Sequence, residues 1–337
     1  MSKNKPSGRL SVPVIILLAV LPLLAVFVSL FFGRYSIVPS DVAGALFHPS
    51  ASARETAVIV RQLRLPRAVA AAFVGASLSV SGAAFQSVFR NPLVNSGIMG
   101  VSNGAGFGAC LAIVFLGGGV FTYGLSFLFG MLAVALSYFA GRISKTQTVI
   151  TLILGGTIVS AFFAALVSAM KYIADPYSQL PAITFWLMGS FASVGLKHLV
   201  ALVPMSVGMA LIFICRRKID TLSMGEKEAA TLGVDVRLYS ILIIGGATLC
   251  TASAVCISGT IGWVGLVIPH ISRMLVGSGN SKLIPASISL GACFLVLIDL
   301  LSRTVTSSEL PIGILCALIG TPFFVYLLKT TKGGNWA

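Results

Sequence analysis

Acidic residues are scarce in this chain of 337 residues: nine Asp and Glu stand against 23 Lys and Arg, charged residues make up 9% of the sequence, and histidines number three. Each shortage removes a class of function. No clustered set of carboxylates appears that could divide acid and base work. His48, His198 and His270 are scattered, with no H-E-x-x-H or other metal-ligand spacing. The six cysteines, Cys110, Cys215, Cys250, Cys256, Cys293 and Cys316, lie in or at the ends of apolar runs and form no C-x-x-C pair. They are expected as packing residues rather than ligands or disulfides. A G-x-x-x-x-G-K-[ST] phosphate loop is missing, and 141–146 and 277–282 are only superficially similar to one. The chain is therefore expected to bind no metal or cofactor of its own and not to hydrolyse ATP, and a membrane-embedded enzyme is disfavoured.

What fills the chain instead is apolar: hydrophobic residues reach 57% and the mean hydropathy is +1.00. Runs such as Phe121–Ala140 and Val149–Met170 match the roughly 20 residues that a helix needs to cross a ~30 Å hydrocarbon core. Counting runs between polar breaks gives ten candidate spans, at about 11–33, 68–88, 97–117, 120–140, 149–170, 196–214, 239–257, 262–276, 284–301 and 311–328. Backbone polar groups must be paired inside lipid, and the runs lack the two-residue alternation of barrel strands. The expectation is an all-α polytopic membrane protein, one transmembrane domain over 1–337. The run Val12–Phe32 follows Lys3, Lys5 and Arg9 as a signal peptide would, but it is long for one and has no A-x-A site, so it reads as the first span.

The net charge of +14 raises the question of nucleic acid. Lys and Arg sit between apolar runs rather than on one basic face with interleaved aromatics, so membrane topology explains most of them and a nucleic-acid partner is not expected. With the N-terminus inside, the inner side collects Lys3, Lys5, Arg9, Arg90, Arg142, Lys145, Arg216, Arg217, Lys218, Lys227, Arg237, Arg273, Lys282, Lys329 and Lys332. The outer side holds Arg34, Arg54, Arg61, Arg64, Arg67, Lys171, Lys197 and Arg303. That bias places both termini in the cytoplasm. The arginines between Arg54 and Arg67 defy it and need their own reason.

Three local features could carry function. Residues 216–237, RRKIDTLSMGEKEAATLGVDVR, form a charged segment between two apolar runs on the inner side. There Ser223-Met224-Gly225-Glu226 fits a capping box for a short helix over about 224–232, with Ala229 and Leu232 as a small apolar stripe and Gly233 as its left-handed stop. Such a helix is either a solvated loop or a docking element for a cytoplasmic partner. The Pro-containing break Phe89–Leu93 leads into Gly97, Gly100, Gly104, Gly106 and Gly108, a spacing that lets helices approach closely in lipid, and makes Asn91 and Leu93 gate candidates. Asp299 lies inside an apolar run, where an ionisable group often marks an ion path, but Arg303 one turn on makes pairing the simpler account. A faint internal echo, G-x-x-G-apolar at 97–101 and 262–266 with an offset of 165 shared by Gly155 and Gly320, fits two inverted repeats.

Leu63-Arg64-Leu65-Pro66-Arg67, FRNPLVNSGIMGVSNGAGFG (89–108), SGTIGWVGLVIPHISRML (258–275) and ELPIGILCALIGTPFF (309–324) together resemble the FecCD-type permease subunits of bacterial ABC importers for iron-siderophores, haem and cobalamin. The resemblance implies ten spans with an inverted repeat of spans 2–5 and 7–10. It implies a homodimer, or a heterodimer with a paralogous permease, in the bacterial cytoplasmic membrane. It also implies two separate ATPase subunits that bind ATP and Mg, and a substrate-binding protein outside. By the same resemblance the segment at 216–237 is the coupling element, with Leu222, Gly225, Glu226, Ala230, Leu232 and Gly233 in its motif. Arg64, Arg67 and Arg303 match positions that pair with carboxylates of the binding protein. Asn91, Pro92 and Leu93 match a cytoplasmic gate, with Thr148 and Thr151 candidates for a second gate between spans 4 and 5. A proton-coupled secondary transporter of similar span count is the alternative.

Overall fold

A computed structural model describes residues 11–48, 54–142, 149–306 and 308–330, and every regular element among them is helical. In order these are α1 (Val12–Ser29), α2 (Pro39–Phe47), α3 (Arg54–Val58), a π-helical turn Ile59–Arg64 running into α4 (Leu65–Val88), α5 (Val101–Leu116), α6 (Val120–Arg142), α7 (Val149–Ile173) and α8 (Gln179–Met188). A 3-10 turn, Leu196–Ala201, then opens α9 (Leu202–Leu222), followed by α10 (Glu226–Thr231), α11 (Val236–Ser258), α12 (Val264–Val276), α13 (Asn280–Thr304) and α14 (Ile312–Thr330).

Each of the ten expected spans contains a helix, but the lengths differ. Seven helical stretches are long and apolar enough to cross a membrane, whereas Val101–Leu116, Val264–Val276 and Ile312–Leu327 are shorter. Helices α5 and α12 start later than the apolar runs suggest, because Gly100 (φ 76°) and Trp263 (φ 69°) take left-handed conformations just before them. The irregular residues ahead of them, including Val94, Ser96, Met99 and Ile261, are buried in protein, which is where non-helical backbone at membrane depth is tolerated. The apolar-run count missed α2 and α8, since nine or ten residues are too few to register as a span.

Helices α4–α7 and α11–α14 repeat one order, a long helix, a short one and two more. The first helix of each set packs on the second and third of the other: α4 on α12 and α13, α11 on α5 and α6. Such exchange is what a two-fold relation between repeats produces. The echo noted in the sequence marks the right segments in a shifted register: α5 and α12 start at 101 and 264, and 264 − 101 is 163, not 165.

Small residues make the centre possible. A Cβ on Gly75 of α4 would stand 2.1 Å from the Gly291 carbonyl oxygen of α13, and one on Gly108 of α5 would stand 2.2 Å from the Leu125 oxygen of α6. Backbones this close gain dispersion contact where lipid offers no hydrophobic drive between helices. Helix α1 covers one side of α13, and all six cysteines are buried and free.

Candidate functional site

The segment expected to couple, 216–237, begins in the last turns of α9. Ser223 follows directly on α9, so its hydroxyl donates to the Asp220 carbonyl (2.7 Å), one of the carbonyls a helix end leaves unpaired. The expected capping box therefore does not form. Gly225 is the cap instead, at φ 140°, and a Cβ there would meet Glu228 Oε2 at 2.0 Å. The far end behaves as expected: Gly233 is left-handed (φ 73°), with Gly233 N donating to Ala230 O (3.0 Å) and Val234 N to Ala229 O (3.1 Å), the two bonds of a Schellman stop. The expected apolar stripe is split. Ala229 is fully buried, while Leu232 is 64% and Met224 66% exposed. Helix α10 thus offers two apolar side chains beside exposed Glu226, Lys227, Glu228 and Ala230.

The break after α4 lies against this segment. Asn91 Oδ1 accepts the Leu93 amide (2.9 Å), a tight turn that leaves Leu93 58% exposed and sends Val94 inward. Phe89, Val94, Leu222, Ala229 and Val234 belong to one continuous buried cluster. Two polar chains reinforce it. Gln86 Nε2 donates to Val94 O (3.0 Å) and Gly265 O (3.1 Å), joining α4, the gate loop and α12. Ser87 Oγ donates to Asn280 Oδ1 (2.8 Å), while Asn280 N and Nδ2 donate to Asp220 Oδ1 (2.7 and 2.9 Å), joining the ends of α4, α13 and α9. A Cβ on Gly225 would also come within 3.6 Å of Arg90 Nη1. The loop 89–94 and the segment 222–234 are thus neighbours.

A cleft of about 440 Å³ opens beside the loop, lined by Leu93, Asn95, Asn103, Thr157 and Ser160 among others. Asn103 Nδ2 donates across it to Ser160 Oγ (2.7 Å) and O (3.1 Å). Thr151 lies in the first turn of α7, next to Gly141 of α6, and Thr148 falls outside the described residues.

At the opposite end of the bundle Arg64, Arg67 and Arg303 come together from distant parts of the chain, and their guanidinium groups turn inward. Arg64 and Arg303 are each 5% exposed. Arg64 donates to the carbonyls of Leu30 (2.7 Å) and Tyr35, and Arg303 to that of Ser29 (2.9 Å), so both close the C-terminal end of α1. Arg67 bonds Asp299 (2.8 Å) and Glu309 (2.9 Å), with Arg303 Nε 3.5 Å from the other Asp299 oxygen. The expected pairing of Asp299 with Arg303 is present, with Arg67 as a nearer partner. The arginines exposed at this end are Arg34, Arg54 and Arg61. In the adjoining turn before α8, Asp175 accepts from Ser178 Oγ (2.7 Å), Ser178 N (2.7 Å) and Tyr177 N (3.1 Å), bonds that hold its carboxyl below the ordinary carboxylate range, the Ser178 hydroxyl foremost.

Sequence reading missed Gln86, Asp220, Asn280 and Glu309. The first had a signal, a lone amide inside an apolar run. The other three stand in polar stretches where their partners are set only by the fold.

The sequence model of the FecCD transport family matches residues 20–330. The molybdate import system permease protein MolB of Haemophilus influenzae is 40% identical over 325 residues, 94% of this chain and 96% of its own. The iron(3+)-hydroxamate import system permease protein FhuB of Bacillus subtilis is 39% identical over 336 residues, 95% of this chain and 84% of its own. A solved structure described as an inward-facing conformation of a metal-chelate type ABC transporter superposes with a TM-score of 0.84 at 39% identity, covering 95% of this chain and 99% of that one. The chain belongs to the FecCD transport family and is a multi-pass membrane permease of the ABC-transporter kind, a transporter subunit rather than an enzyme.

Proposed function

We propose that this chain is the membrane-spanning half of an ATP-driven importer in the bacterial cytoplasmic membrane, working as a dimer with two ATPase subunits inside and a substrate-binding protein outside. The observation that carries this reading is that the loop after α4 and the segment after α9 share one buried cluster, to which Phe89 and Val94 belong together with Leu222, Ala229 and Val234, and that Gly225 lies beside Arg90. A partner that moved α10 would bear on the loop after α4 through this cluster. Exposed Glu226, Glu228, Met224 and Leu232 supply the charged and apolar contacts for an ATPase groove, with Gly225 and Gly233 setting the shape of the element and Ala230 on its open side. ATP and Mg would be held by that partner.

The cargo follows from the relatives' names, which span molybdate and a ferric hydroxamate. We infer a metal oxyanion or a metal chelate such as an iron-siderophore, haem or cobalamin. Asn91, Pro92 and Leu93 act as the cytoplasmic gate in this reading, with the cleft at Asn103 and Ser160 beside it, and Thr148 and Thr151 are the candidates for a second gate. Both termini lie in the cytoplasm. For the binding protein, Arg34, Arg54 and Arg61 are the contact arginines, and Arg64, Arg67 and Arg303 hold the platform on which they stand.

A proton-coupled transporter would need a carboxylate free to load and release a proton along the path. The one such residue inside a span, Asp299, is tied to Arg67 and Arg303. Uptake into proteoliposomes separates the readings. Import that needs ATP, the ATPase and the binding protein, and that survives a protonophore, supports the proposal. Import driven by a proton gradient without ATP overturns it.

A further inference from the structure

Helix α1 leans mainly on α13 and α4, and between it and α9 a cleft of about 900 Å³ remains. Along most of its length the wall is apolar: Ile15, Leu18 and Pro22 of α1, Phe73 of α4, Met209 of α9 and Ile288 of α13. Polar groups gather at one end, where Arg216 and Arg217 of α9 face Ser281 of α13 and Val12 of α1. Arg216 is held there, its Nη1 donating to Phe213 O (2.7 Å) and its guanidinium 3.9 Å from the Phe213 ring centroid. Deeper in, Ser289 lines the same cleft, 3% exposed, and its Oγ has no hydrogen-bond partner among the described residues.

We propose that this cleft is a binding site for an anionic phospholipid, its phosphate held by Arg216 and Arg217 and an acyl chain lying between α1 and α9. Charge and shape agree on an amphiphile. The cations lie at the mouth only, at the helix end where interfacial arginines meet anionic headgroups. From Val12 to Val26 the cleft follows α1 for about 21 Å at 1.5 Å per residue, beyond the half-thickness of a ~30 Å core. An acyl chain fits such a slot, and the mouth asks for a negative headgroup. The cytoplasmic leaflet is the one served under the orientation proposed above, while the site itself depends only on the geometry. Because Arg216 and Arg217 open the coupling segment, an occupied site would tie α1 to the end of α9 from which that segment hangs.

Native mass spectrometry of the full-length protein, exchanged from vesicles of phosphatidylglycerol or of phosphatidylcholine, tests this. The expected result is retained phosphatidylglycerol on the wild type, roughly tenfold or more weaker on R216Q/R217Q, and largely restored on R216K/R217K. The exposed-arginine control R237Q should bind as the wild type does. Equal retention of the two lipids, or undiminished phosphatidylglycerol on R216Q/R217Q, overturns the proposal. So does a density map that shows residues 1–10 or a second copy of the chain in the cleft.

Discussion

The two ends of the bundle handle charge in opposite ways. At the Arg67 end, three arginines and two carboxylates are folded in, closing α1 onto α4 and α13. At the Arg90 end, Glu226, Lys227 and Glu228 face out on a short helix whose buried side is little more than Ala229. The first arrangement makes a rigid rim and the second leaves a handle. The importer proposed above would use both, since a force applied at the handle shifts helices only if their far ends are anchored.

The strongest way to break the contrast is at the anchor. Asp299→Ala leaves Arg303 buried without its carboxylate and Arg67 with Glu309 alone, and the expected loss is about 3–5 kcal/mol, seen as a lower unfolding temperature in detergent. The double variant D299A/R67M removes the Arg67–Asp299 pair as a unit and should recover part of that, not all, because Arg303 loses Asp299 and Glu309 loses Arg67. An unchanged D299A would mean that the rim is not held by these ions.

At the handle the expected signature is the reverse, function lost with stability kept. Gly225→Val forces a side chain into φ 140° and against Glu228, a local strain of about 1–3 kcal/mol in a short exposed element. Uptake and stimulated ATP hydrolysis should fall together while the unfolding temperature moves little. Were G225V to unfold the whole bundle, the handle would be part of the core.

A smaller effect is expected from the exposed arginines of the rim. Surface ion pairs contribute only ~0.2–1 kcal/mol each, so R34E, R54E or R61E alone should weaken binding-protein affinity slightly. The triple variant should weaken it clearly at low salt and less at high salt. If only Arg64 and Arg303 substitutions affect docking, the buried trio touches the partner after all.

The smallest effect is one of pH. The carboxyl of Asp175 is held below its ordinary range by Ser178, so its contribution to the turn before α8 is present above the unfolded carboxylate pKa of about 3.9 and is lost as pH falls through the lower folded value. Exchange protection of the Tyr177 and Ser178 amides, corrected for intrinsic rates, should therefore persist at pH 5, fall in strong acid, and be lost already at pH 5 in Asp175→Ala, which has no acceptor oxygen.

Much of this contrast was legible in the sequence, and the rest was hidden for a physical reason. Apolar runs of membrane length fixed the helices, and the left-handed stop at Gly233 followed from glycine's lack of a Cβ. The arginines at 64, 67 and 303 stood out as a set through the family resemblance, while the break in the positive-inside pattern marked only the stretch from Arg54 to Arg67. Their burial was not visible, since it depends on Leu30, Tyr35 and Glu309 arriving at the same place, and contacts across 29 to 242 residues leave no local pattern. Ser223 misled for a related reason: it suits the start of α10, but α9 runs on until Leu222 and claims its hydroxyl.

The central claim is that α10 drives the gate loop, and cross-linking tests it most directly. Leu93→Cys in the assembled transporter should form a disulfide across the dimer axis in a yield that changes on adding ATP, and the change should disappear when E226K/E228K is combined with it. A nucleotide-dependent yield that survives E226K/E228K, or a yield that never responds to nucleotide, would contradict the account.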